Sequence, residues 1–345
     1  YTLLGGFLAE SVSDFIQAFV MIVALGVIVV ISTVKAGGLG EVMANASQIP
    51  GFMEFFGMAS PALEEGTQIL EAGKPVFGDV APYGFLTVCS PMAWGLGYFG
   101  MPQVLLRFMA IRKEKELAAS RRIAMVWVVI SLGVAVFIGI VGRQLFPAGH
   151  LTKASAENIF ITLATSSLPP VLAGFVMAGI LAATMSSSDS YLLIAASAFS
   201  KNIFQGICKK NATDKQVMIV TRITLLVLAL IGIVIALDEN SVIFQIVSFA
   251  WAGFGATFGP LILFSLFWKR TNKAGAIAGM VSGAAMVFIW KLVISKLGGI
   301  FAIYELLPAF IISGICIVVF SLLTKAPSQE ILDDFEAVRN GNIEE

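Results

Sequence analysis

The chain has 345 residues, 58% of them hydrophobic and 13% charged, with a mean hydropathy of +0.91 and a formal net charge of zero. Soluble domains carry about 25% charged residues, so lipid rather than water is the expected solvent for this much apolar surface. Zero net charge offers nucleic acid no electrostatic hold; the single histidine, His150, excludes chemistry that needs two, and the widely spaced Cys89, Cys208 and Cys316 draw neither a disulfide framework nor a zinc pattern.

A membrane crossing needs about 20 mainly apolar residues. Eight stretches qualify: 6–34, 83–104, 123–146, 168–198, 217–237, 242–267, 274–294 and 301–323. The chain starts at Tyr1 with no charged leader, and residues 1–7 read as the end of one membrane segment running into another. An N-terminal part is therefore expected to be missing. The first stretch carries Asp14, an acid at a depth where a charge costs about 2.5–3.5 kcal/mol. The acidic loop 35–82 has room for a short helix.

The second stretch contains SPMAWGLGYFGMP at 90–102, with two prolines and three glycines in thirteen residues. A continuous helix is not expected there. Broken backbone inside a membrane is tolerated only where protein buries it or a cavity meets it, and such segments point to transporter binding sites. Trp94 and Tyr98, at i and i+4, share a face beside the break. An interfacial aromatic belt is the plainer alternative.

In the fourth stretch, Ala183, Ser186, Ser187 and Ser190 fall at helical spacing, so one stripe carries a small residue and three hydroxyls, with Asp189 in the same turn. Sodium is a hard ion that prefers oxygen ligands of this kind. Helix packing through small and hydroxyl side chains explains the same stripe without an ion. The sixth stretch holds the glycine-rich run 251–260, a gating hinge or a close-packing surface. The chain divides into a transmembrane core, 1–325, and a cytoplasmic tail, 326–345. In the tail Ser328 caps a short helix with Ile331, Leu332, Phe335 and Val338 on one face, and Gly341 ends it.

Lys and Arg set the orientation. Fourteen positive residues fall in alternate connections, from Arg107 to Arg122, Lys201 to Arg222 and Lys269 to Lys273, against six in the others. The richer side is assigned to the cytoplasm, with both visible ends on it in the cell membrane.

Four blocks carry a resemblance: GGFLAESVSDFIQ at 5–17, SPMAWGLGYFGMPQVLLRFMA at 90–110, ILAATMSSSDSYLL at 180–193 and SFAWAGFGATFGPLILFSLFWKR at 248–270. In order and over nearly the whole chain they resemble the proline branch of the sodium:solute symporter family. The resemblance implies an all-α, multi-span membrane bundle, a partial LeuT-type inverted-repeat fold comprising core helices five to ten and two more. It implies a sodium site with the Ala183 carbonyl, Ser186 and Ser187 as its eighth-helix half, and a substrate region matching Trp94, Tyr98 and Pro102. Asp14 matches an aspartate linked to sodium use. Asp189 stands where sugar-carrying relatives have a hydroxyl, which suggests a second cation or proton site with Asp14 and Ser190.

The expected function is sodium-coupled symport of a small amino acid, L-proline first, with the solute, sodium and the bilayer as partners and no covalent chemistry. The alternatives are a symporter of the same fold for pantothenate or a short carboxylate, and a transporter-like membrane sensor. The short tail argues against the sensor. Lacking half the expected sodium site, this segment alone is not expected to transport.

Overall fold

The computed structural model describes residues 2–54, 56–65, 67–72, 74–147, 149–151, 153–237 and 243–340. In chain order, α1 (Thr2–Lys35) and α2 (Leu39–Ser47) lead into six short strands, β1 (Gly57–Pro61), β2 (Leu63–Glu64), β3 (Thr67–Gln68), β4 (Leu70–Glu71), β5 (Lys74–Pro75) and β6 (Phe77–Pro82). The helices α3 (Phe85–Met92), α4 (Trp94–Gly97) and α5 (Pro102–Met109) follow, with a 3-10 turn at Tyr98–Gly100. Next come α6 (Glu114–Leu145), α7 (Lys153–Ala156), α8 (Ile159–Ser167) and α9 (Pro170–Ala198), which runs on as a π-helical stretch, Phe199–Cys208. The chain finishes with α10 (Asp214–Ala236), α11 (Ile243–Phe267), α12 (Lys273–Leu292), α13 (Leu306–Leu323) and α14 (Gln329–Asn340).

Among the described residues, seven helices are long and apolar enough to cross a membrane. They match seven of the eight expected stretches; the remaining one, 83–104, is the interrupted α3–α5 segment. Two helix starts move furthest. The third helix starts at Glu114 rather than 123, because EKELAASRR consists largely of strong helix formers despite its charge. The eighth starts at Leu306 rather than 301, because Gly298 and Gly299 at φ 71° and 58° turn the chain into a 3-10 turn over Gly299–Ala302. Residue 242 and Gly341 lie outside the described residues.

The chain forms two compact units. The first comprises Tyr1–Pro82 and Arg112–Ser241. Its core gathers Ala24 and Ile28 of α1, Ile138 of α6, Leu163 and Ala164 of α8, and Ala173 and Val176 of α9. Lipid supplies no hydrophobic drive between helices, so close approach through small residues has to hold them. Gly179 has no room for a Cβ, which would collide with the Ala24 methyl. The Lys35 ammonium donates to the Ser166 carbonyl at 2.6 Å, tying the far end of α1 to α8. Helix α1 breaks at Gly6 (φ 57°, ψ −147°), a conformation open to glycine.

Loop 35–82 holds the short helix expected, as α2, but also a β flap that was not. Strands β1 and β6 pair antiparallel, Gly57 with Pro82 and Ala59 with Val80, and two-residue ladders β2–β3 and β4–β5 extend it. The buried Gln68 donates to the Val76 carbonyl at 2.8 Å and accepts from Arg143 of α6.

The second unit comprises Tyr83–Ile111 and Val242–Glu345. Gly275, Gly279 and Gly283 form a buried stripe on α12 that meets Ser313, Ile317 and Ser321 of α13 and the Ala256 carbonyl of α11. The Ser313 hydroxyl donates to the Gly279 carbonyl at 2.9 Å. Asn272 caps α12 and reaches the carbonyls of Ser321 and Lys325 at the end of α13. In α14, Leu332 and Phe335 are half-buried and Ile331 and Val338 exposed, and a groove separates that face from Ser265–Phe267 at the end of α11.

Candidate functional site

In the first unit, successive turns of α1 place Glu10, Asp14, Gln17, Met21, Ala24 and Ile28 on one face. The corresponding face of α9 carries Val176, Gly179, Ala183, Ser186 and Ser190. Two contacts register these faces antiparallel: Ala24 against Gly179, and the Ser190 hydroxyl donating to the Glu10 carboxylate at 2.6 Å. Glu10 and Ser190 are both 4% exposed. The inner half of the seam is thus apolar, and its other half is carboxylates opposite hydroxyls.

Ser190 belongs to the stripe read from the sequence, and it faces protein. Ala183 and Ser186 are half-buried and Ser187 is exposed. The Ser187 hydroxyl donates to the Ala183 carbonyl at 3.1 Å, and Ser190 also donates to the Ser186 carbonyl at 3.2 Å. Two of the three residues named as sodium ligands are therefore already hydrogen-bonded to each other. A cation there would take lone pairs left over by these back-bonds, since each carbonyl and hydroxyl oxygen has two. Asp14 sits one turn beyond Glu10 on the seam, half-buried. Asp189 lies about 100° around α9 from Ser190, half-buried, and its Oδ2 has no hydrogen-bond partner among the described residues. Among the described residues no group of three or more His, Cys, Asp or Glu side chains comes together that could hold a metal ion. Glu10 was not singled out from the sequence. Its signal was an acid inside a stretch expected to span, the same reasoning that selected Asp14.

In the second unit, the interrupted segment rests on α11. The Trp94 ring stacks on Trp251 at 5.1 Å, Phe244 at 5.5 Å and Tyr304 at 6.2 Å, while Tyr98 meets Trp251 edge-on at 4.8 Å. The Trp251 indole N–H donates to the Trp94 carbonyl at 3.0 Å. Tyr304 is fixed at both ends: its backbone N–H donates to the Ser90 hydroxyl at 3.1 Å and its phenol to the Ser248 carbonyl at 2.5 Å. Next to it, the buried Glu305 pairs with Lys291 at 3.3 Å. Tyr98 remains 49% exposed and Phe244 63%, so these two rings are the members of the aromatic group open to a ligand. Pro102 opens α5 at its first turn, where its missing N–H costs nothing. The sequence names Trp94, Tyr98 and Pro102 but not Phe244 and Trp251, which enter from α11, or Tyr304, which enters from the connection before α13.

A model of the sodium:solute symporter family matches residues 1–283. Similar proteins include the high-affinity proline transporter PutP of Bacillus subtilis, 37% identical over 97% of this chain and 65% of its own length. The sodium/proline symporter of Haemophilus influenzae is 40% identical, over 97% of this chain and 64% of its own. The osmoregulated proline transporter OpuE of Bacillus subtilis is 36% identical, over 95% and 62%. The chain thus spans a little under two thirds of these relatives. A solved structure of a Na+-coupled sialic acid symporter in a substrate-bound outward-open state overlays with a TM-score of 0.65 at 19% identity, covering 95% of this chain and 65% of that one. That likeness carries the fold, a multi-span helical bundle with part of the LeuT-type architecture.

Proposed function

The chain belongs to the sodium:solute symporter family, and from that premise we propose that its protein couples sodium entry to uptake of a small amino acid, L-proline first among candidates, by alternating access. The single observation that carries this reading is the Ser190–Glu10 bond: it turns one hydroxyl of the α9 stripe, Ser190, toward protein and a carboxylate rather than lipid. Sodium is held by the Ala183 carbonyl, Ser186 and Ser187, and the solute lies beside Trp94, Tyr98 and Pro102. An apolar ring such as proline's suits an aromatic wall, with its carboxylate at a helix N-terminus opened by the break.

Inward movement of one charge across 100 mV releases about 2.3 kcal/mol, and a tenfold sodium gradient about 1.4 kcal/mol more. Together they sustain a solute gradient of several hundredfold, enough to scavenge amino acids. Residues 1–325 form part of the transmembrane core that carries the cycle, and the tail, 326–345, lies in the cytoplasm with both visible ends. The names of the proline-transporting relatives support proline over pantothenate or a short carboxylate. Competition against labelled proline uptake by a panel of those solutes tests the choice: displacement by pantothenate and not by excess proline would reassign the substrate.

The polar half of the α1–α9 seam favours a second cation or a proton among Asp14, Asp189 and Ser190. In the full-length protein, Asp189→Asn then changes the sodium or pH dependence of uptake. Unaltered profiles would remove the second site.

A further inference from the structure

We infer that Trp251 is a positioning residue for the solute site: from α11, its indole sets the backbone and ring faces of the interrupted segment. The inference rests on the reading that solute binds beside Trp94 and Tyr98. Trp251 touches both of those residues, stacking on one at 5.1 Å and meeting the other edge-on at 4.8 Å. It is 7% exposed, so its ring belongs to the packing and is not itself the surface a ligand meets.

Three features make the fit specific rather than generic aromatic packing. The indole N–H bonds the Trp94 main-chain carbonyl at 3.0 Å, a directional contact that fixes backbone beside a helix break. Gly97 is hollowed to receive the indole, since a Cβ there would collide with Trp251 Nε1 and Cδ1. The glycines on the two sides interlock: a Cβ at Gly255 would come within 2.7 Å of the Gly97 Cα, and one at Gly100 within 2.7 Å of the Gly259 nitrogen. Tyr98, four residues from Trp94, then has its exposed face set by the edge of the same indole. The glycine-rich run 251–260, a hinge or a packing surface on sequence grounds, is therefore a packing surface that carries one directional bond. Rotation or shift of α11 at this point alters the solute wall directly, because the carbonyl, the stack and the edge contact share one side chain.

The test is W251F in the full-length protein, which keeps a six-membered ring in the slot and removes the N–H donor together with the indole's five-membered ring. Proline uptake is measured at matched membrane abundance beside W94A. The expected result is a KM for proline raised about five- to tenfold, the worth of one buried hydrogen bond, with maximal rate retained, because the lost interaction acts on binding. A purely structural role would lower abundance or maximal rate and leave KM alone. If W94A raises KM and W251F stays within about twofold of the parent, the inference is overturned and the solute site stands. If neither moves KM, the solute site itself is misplaced and the inference falls with it. Gly97→Ala provides a second route, leaving Trp251 intact while filling its slot: it raises KM in the same way, and an unchanged KM in that variant overturns the inference as well.

Discussion

At the residue scale, the contact between Glu10 and Ser190 joins positions 180 residues apart and places a carboxylate inside the bundle. A buried acid is costly unless hydrogen-bonded, and the Ser190 hydroxyl provides one such bond. Ser190→Ala removes that donor, and we expect the purified protein to lose about 1–3 kcal/mol of stability, read as a lower melting temperature in detergent. Glu10→Gln retains a carbonyl acceptor and should fall by less. A melting temperature unmoved by Ser190→Ala would show that the bond does not hold the seam. The sequence made Asp14, Asp189 and the hydroxyl stripe legible because each is a chemical anomaly inside an apolar run. Glu10 was less conspicuous because it lies near the start of the first stretch, four residues after Gly6, where an acid reads as facing the membrane surface. Only the antiparallel registration of α1 on α9 reveals it as interior.

At the element scale, what could be read depended on whether a local rule was being broken. Two prolines and three glycines announced the interrupted segment, and α3, α4, the 3-10 turn and α5 follow those positions. The β flap left no such mark, since two-residue rungs such as Leu63–Glu64 against Thr67–Gln68 are too short to alternate. The flap is tied to α6 by Arg143, which bonds Gln68 and the Pro147 carbonyl and lies 5.8 Å from the Phe77 ring. Arg143→Ala should therefore speed limited proteolysis within residues 57–82 without unfolding the bundle, and unchanged cleavage would place the flap's support elsewhere. The glycines at 275, 279 and 283 show a four-residue spacing that was legible in principle as a helix-packing motif. Gly279→Leu forces a branched side chain against Ile317 and the Ser313 carbonyl and should cost about 1–3 kcal/mol or more. Gly232→Leu on α10, where a Cβ meets nothing within 4 Å, is the matched control and should stay near the parent.

At the scale of the whole molecule, hydropathy made most of the spans legible, because lipid imposes long apolar helices; the Lys and Arg distribution alternates between connections and yields an orientation to be tested. The fourteen-to-six asymmetry predicts that a single cysteine introduced at Glu116, in a background lacking Cys89, Cys208 and Cys316, reacts with an impermeant thiol reagent only from the cytoplasmic side. Reaction from outside would reverse the orientation. Long-range pairings lay beyond reach: Trp251 beneath Trp94, Tyr304 bridging Ser90 and Ser248, and Ser190 on Glu10 each require the bundle to be assembled first.

Every step of the proposed cycle depends on an alkali ion, seated on neutral oxygens of α9, doing the energetic work of uptake. The direct measurement is accumulation of labelled proline by the full-length protein in sodium and in choline buffer, with Ser187→Ala alongside. We expect strong uptake in sodium, little in choline, and a half-saturating sodium concentration raised about tenfold by Ser187→Ala, the loss of one ligand contact worth roughly 1.4 kcal/mol. Equal accumulation in the two buffers would contradict the account.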